Sequence, residues 1–285
     1  MATKVALRYI SPVTVVWLRF GMGLLILGAA MLARKQFALP GRRDLAYFAL
    51  VGFLGITFHQ WLQSTGLVTA QATTTAWIVA TTPVFIALLG WLVLKEKLGR
   101  VKIAGIVLAA AGVLLVVSKG DLASLASGSF GTPGDLLILI SSVNWAVFSV
   151  ISRWGLHKHP AARMLFYVMA LGWLFTSLLF FTGPGAGEIR RLAWEGWSAV
   201  AFLGIFCSGL AYIFWYDALQ ALPVAQAGAF VYLEPFVTVV VAAIILGEAM
   251  LWSSLVGGMI ILWGVWMVQT IALPAGRFSK RRQST

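Results

Sequence analysis

The sequence predicts an all-α integral membrane protein built from two five-helix repeats of opposite orientation, with the first helix largely absent from the chain. Three observations carry this. Hydrophobic residues make up 60% of the 285 positions and charged residues 11%, against about 25% charged in a soluble domain. The apolar residues gather into runs of about 20, the length that crosses roughly 30 Å of hydrocarbon. Finally, a shift of 152 carries Leu67 onto Leu219, Pro83 onto Pro235, Glu96 onto Glu248, Gly105 onto Gly257 and Gly112 onto Gly264. With small gaps the match extends to Gly55 on Gly204 and Pro12 on Pro160. A β-barrel is excluded, because its strands would alternate polar and apolar residues.

Nine spans follow in order, at about 13–33, 45–69, 72–94, 101–118, 134–153, 161–182, 197–219, 223–246 and 252–273. Breakers separate them, such as Pro40-Gly41 and Gly183-Pro184-Gly185. The polar stretch 119–133 divides a first repeat, 1–118, from a second, 134–273, and a basic tail fills 274–285. The second repeat opens with the span 134–153, ahead of the stretch Arg153 to Pro160. The matching stretch of the first repeat, Lys4 to Pro12, stands at the start of the chain. Three explanations compete: a true start upstream, a helix removed or left unnumbered, or a real nine-span protein. The first two are favoured, because nine spans would leave a helix-sized gap in a paired bundle. A five-span unit inverts its second copy, since an odd count flips it.

The net charge of +12 does not indicate nucleic acid, because the basic residues lie in short loops rather than on one arm or face. One set of loops holds fifteen of them, from Arg34 and Lys35 through Arg42, Arg43, Lys95, Lys97, Arg100, Lys102, Arg153, Lys158 and Arg163 to Arg277, Lys280, Arg281 and Arg282. The opposite set holds five: Lys4, Arg8, Lys119, Arg190 and Arg191. The first set, with the C-terminus, is therefore expected to be cytoplasmic, in a cytoplasmic (inner) membrane. Arg19 alone lies well inside a span. The single cysteine, Cys207, excludes an intrachain disulfide.

Candidate functional residues are polar or aromatic groups at mid-span. Pro83 and Pro235 occupy equivalent mid-span places and are expected to kink their helices, serving gating or the site. Glu234 is the only carboxylate near a span centre, where an unpaired charge costs at least about 2.5–3.5 kcal/mol. It is expected to face a cavity or a partner. His59 and Gln63 lie on one helical face with Gly52, Gly55 and Gly66, either reaching a polar cavity or cross-linking helices. Trp77 shares a face with Thr81. Asn144, Trp145 and Phe148 fall mid-span in 134–153; Tyr212 shares a face with Ser208, Trp215 and Tyr216 lie one turn on, and Tyr232 is near Glu234. Ring-lined pockets suit flat or apolar solutes by stacking and cations through ring faces. Glu96 and Glu248 end equivalent spans and are expected to pair with loop cations or to cap the following helix. His157 and His159 lack a ligand cluster, so no metal is expected.

The run Ile10-Ser11-Pro12 with Leu18-Arg19-Phe20, the Pro83 span ending in Lys95-Glu96, and Glu234-Pro235 ending in Gly247-Glu248 resemble the EamA domains of the drug/metabolite transporter superfamily. The resemblance covers essentially the whole chain in two copies. It implies ten helices in two inverted five-helix repeats, a central cavity and export of small metabolites. Aromatic amino acid exporters are the preferred comparison within it. The chain departs from the pattern by lacking most of the first helix.

The functional expectation is a carrier exporting small organic solutes, amino acids including aromatic ones, by alternating access. No Gly-x-x-x-x-Gly-Lys-Ser/Thr segment is present, so ATP is not bound by that route. No cofactor, nucleic acid or obligatory protein partner is expected; the partners are the solute and the bilayer. Export of a drug-like or nucleotide-related solute is the alternative, weakened for phosphate-bearing substrates because Arg19 is the only intramembrane cation. A channel would need a filter or charge ring, and a membrane enzyme an acid or histidine cluster; neither is apparent.

Overall fold

A computed structural model describes residues 1–95, 98–128, 131–156, 158–214 and 233–270, and the regular structure among them is helical. In chain order the helices are α1 (Ala2–Ala6), α2 (Pro12–Ala33), α3 (Arg42–Gly52), α4 (His59–Thr69), α5 (Ala72–Val79), α6 (Thr82–Leu94), α7 (Arg100–Val117) and α8 (Leu122–Ser127). Then come α9 (Pro133–Leu156), α10 (Ala161–Thr182), α11 (Gly185–Glu188), α12 (Trp194–Phe202), α13 (Glu234–Leu246) and α14 (Trp252–Thr270). A π-helical segment, Phe53–Phe58, joins α3 to α4, and another, Leu203–Leu210, continues α12. Among the described residues, eight helical stretches are long and apolar enough to cross a membrane, and the shorter α13 is apolar as well.

Sequence sets the helix ends in recognisable ways. Pro12 occupies the first turn of α2, where its missing N–H costs nothing and its fixed φ is already helical. Three helices stop on a lysine in the left-handed region: Lys35 (φ 53°), Lys95 (φ 55°) and Lys119 (φ 56°). The left-handed turn returns N–H groups to orphan carbonyls, as in Gln36 N–H to Met31 O at 3.0 Å. A cation there also suits the negative end of the helix dipole.

The predicted mid-helix kinks take a different form. The span 72–94 is one helical stretch interrupted by a turn at residues 80–81: α5 ends at Val79, and Pro83 stands in the first turn of α6. The cause is local. Pro83 has no N–H for the carbonyl of Val79, and its ring would clash with it. The Thr82 hydroxyl donates to Val79 O instead, at 2.7 Å, and the Thr81 hydroxyl to Ile78 O at 2.6 Å. Pro235 likewise stands in the first turn of α13. The shift of 152 carries both ends of α6 onto those of α13. It also carries Lys95 onto Gly247 (φ 65°), which ends α13 in the same left-handed conformation.

The two last helices of the halves, α7 and α14, run antiparallel and cross on glycine. A Cβ on Gly105 would lie 2.6 Å from Gly264 O, and one on Gly112 would lie 2.7 Å from Gly257 O. The contact is reciprocal, because Gly257 and Gly264 are the repeat mates of Gly105 and Gly112. Small residues allow such close backbone approach in lipid. Above this crossing Trp77, Val84, Ala109, Ile261 and Val265 form one core cluster. A second cluster, Phe20, Phe48, Ile56, Val168 and Met169 among its members, joins α2 and α3 to α10. The outward faces stay apolar, with Leu92, Ile244 and Trp252 among the exposed side chains, as a lipid-facing surface requires.

Candidate functional site

The two halves meet around the first π-helical segment. Widening a helix there loosens the ordinary i to i−4 ladder. Asn144 of α9 donates its side-chain N–H to Leu54 O at 2.7 Å and so satisfies a carbonyl of the segment. Gly55 leaves room for Phe148, whose ring lies where a Cβ would be. Trp145 stands 4.7 Å from Phe148 and 4.7 Å from the His59 ring, centroid to centroid. His59 is buried, with Nδ1 3.1 Å from Ser141 O. A carbonyl can only accept, so the hydrogen-bond network assigns the proton to Nδ1 and leaves Nε2 as an acceptor. His59, Asn144, Trp145 and Phe148 thus form one cluster across the junction. Replacing Asn144 by leucine is expected to lower the melting temperature in detergent, by about 1–3 kcal/mol of stability, because Leu54 O loses its partner. An unchanged melting curve would show that the carbonyl is satisfied otherwise.

Beside this cluster stands a residue noted in the sequence only for its charge. Arg19 is midway along α2, and its Nε donates to Ser208 Oγ at 3.0 Å. Its Nη1 reaches Gln60 Oε1 at 3.4 Å. The guanidinium carbon lies 5.0 Å from the centroid of the Phe20 ring, within cation–π range. Ser208 belongs to the second π-helical segment, which packs so closely on α2 that a Cβ on Gly23 would strike the Ser208 backbone. Gln60 follows His59. Arg19, Gln60 and Ser208 were not among the candidates. A cation within an apolar span was the available signal for the first; only packing selects the other two.

The remaining candidates are dispersed. Gln63 is half-buried, one helical turn beyond His59. Trp77 is fully buried in the α5–α7–α14 core, edge-on to Phe236 at 5.6 Å, rather than in the His59 cluster. The Thr81 hydroxyl is committed to Ile78 O. Tyr212 packs against the core of α2, α3 and α10 and lines a small space with Leu27, Arg34 and Leu165. Glu234 stands beside Pro235 in the first turn of α13, and its side chain is accessible. Its place in the first turn puts the carboxylate at the positive end of that helix's dipole. Trp215, Tyr216 and Tyr232 lie outside the described residues, as does Glu96.

Two further carboxylates bind one face of the bundle together. Glu248 accepts from the backbone N–H groups of Ala72 (2.8 Å) and Thr73 (3.0 Å), from the Thr73 hydroxyl (2.9 Å) and from Lys4 Nζ (3.1 Å). It caps α5, a helix of the other repeat, and not the helix that follows it. Glu188 accepts from Ser11 N–H (2.9 Å), Ser11 Oγ (2.8 Å) and Thr14 Oγ1 (2.6 Å) at the start of α2. Burial pushes both carboxyls up, but these donors together outweigh it and hold both below the usual glutamate value.

Apolar spans, a lipid-facing exterior and a polar cluster enclosed between two related halves define a multi-pass membrane transporter. The chain belongs to the EamA-like transporter family, which matches residues 1–118 and 132–270. It is not a member of an enzyme family. An uncharacterized transporter of Archaeoglobus fulgidus is 29% identical over 264 residues, covering 93% of this chain and 90% of the relative. YyaM of Bacillus subtilis, also an uncharacterized transporter, is 24% identical over 92% of this chain and 86% of its own. A probable terminal-alkyne amino-acid exporter of Streptantibioticus cattleyicolor is 28% identical over 80% of this chain and 74% of the relative. A solved crystal structure superposes with a TM-score of 0.63 at 20% identity, covering 93% of this chain and 90% of that one. That likeness concerns the fold.

Proposed function

We propose that the chain is a carrier exporting small organic metabolites, amino acids including aromatic ones foremost, across a cytoplasmic membrane with its C-terminus inside. Its two halves, 1–118 and 134–273, act as inverted five-helix repeats that rock about a site between them. The equal bounds of α6 and α13 and the reciprocal glycine crossing of α7 and α14 support the repeat. The observation that carries the substrate reading is the His59–Trp145–Phe148 cluster at the junction. Its half-buried rings Trp145 and Phe148 offer apolar faces, and His59 Nε2 offers an acceptor for an ammonium. The amino-acid exporter among the relatives agrees with it. Pro83, at the break between α5 and α6, and Pro235, in the first turn of α13, serve as hinges in this scheme.

Flux from proteoliposomes tests the proposal. Phenylalanine, tryptophan and threonine are expected to move down their gradients with saturable rates. Trp145→Ala should lower phenylalanine and tryptophan flux by about threefold to tenfold, the scale of one aromatic contact, and change threonine flux by less than that. Equal losses for all three would remove the aromatic preference. No movement of any of them would remove the amino-acid reading.

A further inference from the structure

We infer that Arg19 binds a carboxylate of the transported solute, so that substrates of this carrier carry an acid group. The inference rests on the carrier reading above and adds a chemical class and a residue to it. A guanidinium offers five N–H donors in a planar fork and keeps its charge at any physiological pH. In a membrane span such a group must be paired or face a polar cavity. Yet among the described residues the hydrogen-bond partners of Arg19 are both neutral: Ser208 Oγ at 3.0 Å and Gln60 Oε1 at 3.4 Å. Among the described residues no carboxylate forms an ion pair with it; those that do pair are Glu248 with Lys4 and Asp44 with His159.

The flanking Leu18 and Phe20 are buried, while Arg19 is half-buried. The two neutral acceptors, together with the Phe20 face, fix the plane of the fork, and among the described residues they take up two of its five N–H groups. A fixed fork with donors to spare matches a carboxylate, which can take two parallel hydrogen bonds.

Position strengthens the case. Arg19 and Gln60 belong to the first half and Ser208 to the second, so an anion on this fork touches the contact between the halves. Gln60 adjoins His59, whose assigned Nε2 acceptor suits an ammonium. Acid at Arg19 and amine at His59 would define the two ends of an α-amino acid.

The experiment separates those ends. Four probes are compared by thermal shift and by proteoliposome flux: phenylalanine, 3-phenylpropionate (acid without amine), phenylalaninamide and 2-phenylethylamine (no acid). Wild-type protein is expected to recognise the two acids at concentrations about 10–100-fold lower than the other two, the range of a hydrogen bond to a charged group. Arg19→Gln should abolish that difference while leaving the amide and amine unchanged. Arg19→Lys should restore part of it, since charge returns without the fork. The proposal is overturned if Arg19→Gln keeps the preference, if it weakens all four probes alike, or if wild-type protein recognises neither acid. Recognition of 3-phenylpropionate without phenylalanine would sink the amino-acid reading and uphold Arg19. Phenylalanine transport indifferent to Arg19→Gln would do the reverse.

Discussion

Leucine in place of Gly112 will force apart α7 and α14 and lower the yield of monodisperse, folded protein. A Cβ there would meet Gly257 O at 2.7 Å and Ile261 N at 2.9 Å, backbone atoms that cannot swing aside. Overpacking a core costs about 1–3 kcal/mol when side chains can adjust. Here the obstruction is backbone, so the upper end of that range is expected, with alanine in between. The reciprocal contact of Gly105 with Gly264 lies further along the same crossing, so a tilt that relieves one strains the other. Gly99→Ala is the control, since among the described residues nothing lies within 4 Å of its added Cβ. Size-exclusion profiles and melting temperatures in one detergent decide the matter. A Gly112→Leu protein that melts with wild type would show that this crossing tolerates separation.

The second large effect is expected from Glu248→Ala. It strips a partner from two backbone N–H groups, a hydroxyl and an ammonium at once. Hydrogen bonds to a charged group are worth about 1.5–3 kcal/mol each when broken singly, and those on one carboxylate do not add. A loss of roughly 2–3 kcal/mol is therefore expected. The pH dependence identifies the cause. The carboxyl is held below the glutamate value of 4.5 in the folded protein. It therefore contributes stability that is fully present above that value and is lost as pH falls through the folded-state value. The wild-type melting temperature should fall as pH drops below about 4.5, and Glu248→Gln should show a shallower fall while starting lower at pH 7. Glu188, also held down, contributes in the same window, so some slope remains in the single variant. A pH profile identical to wild type would rule out Glu248 as a contributor. Because Glu248 holds a helix of the first half from a loop of the second, the same variant should raise thiol-reagent access to cysteines placed on that face.

Much of the architecture was legible in the chain. Span positions follow from apolar length, and the 152-residue shift found helix pairs that the fold reproduces at both ends. The prolines read as symmetric interruptions of their spans, and at Pro83 the interruption is a turn between two helix segments. Pattern alone cannot tell a bent helix from a broken one, because the outcome depends on whether neighbouring hydroxyls take the freed carbonyls. Thr81 and Thr82 do so. Candidate residues chosen by helical face came together only in part. His59, Asn144, Trp145 and Phe148 converge, whereas Trp77 enters an apolar core and Glu234 begins a helix. A helical face states which residues share a side, but not what that side meets.

That this protein spans a membrane many times, that it contains a duplication, and which glycines and prolines the two copies share are all legible in the chain. These properties are local or periodic: hydropathy over one span, and identity at a fixed separation. The tertiary structure alone decided that Arg19 points at Ser208 and Gln60 rather than at lipid, that Glu248 caps a helix 176 positions away, and that two π-helical turns mark the junction of the halves. Those depend on distances between segments remote in the chain. Such distances are set by how closely glycine lets backbones approach and by which buried polar groups find partners, and neither is written in any single span.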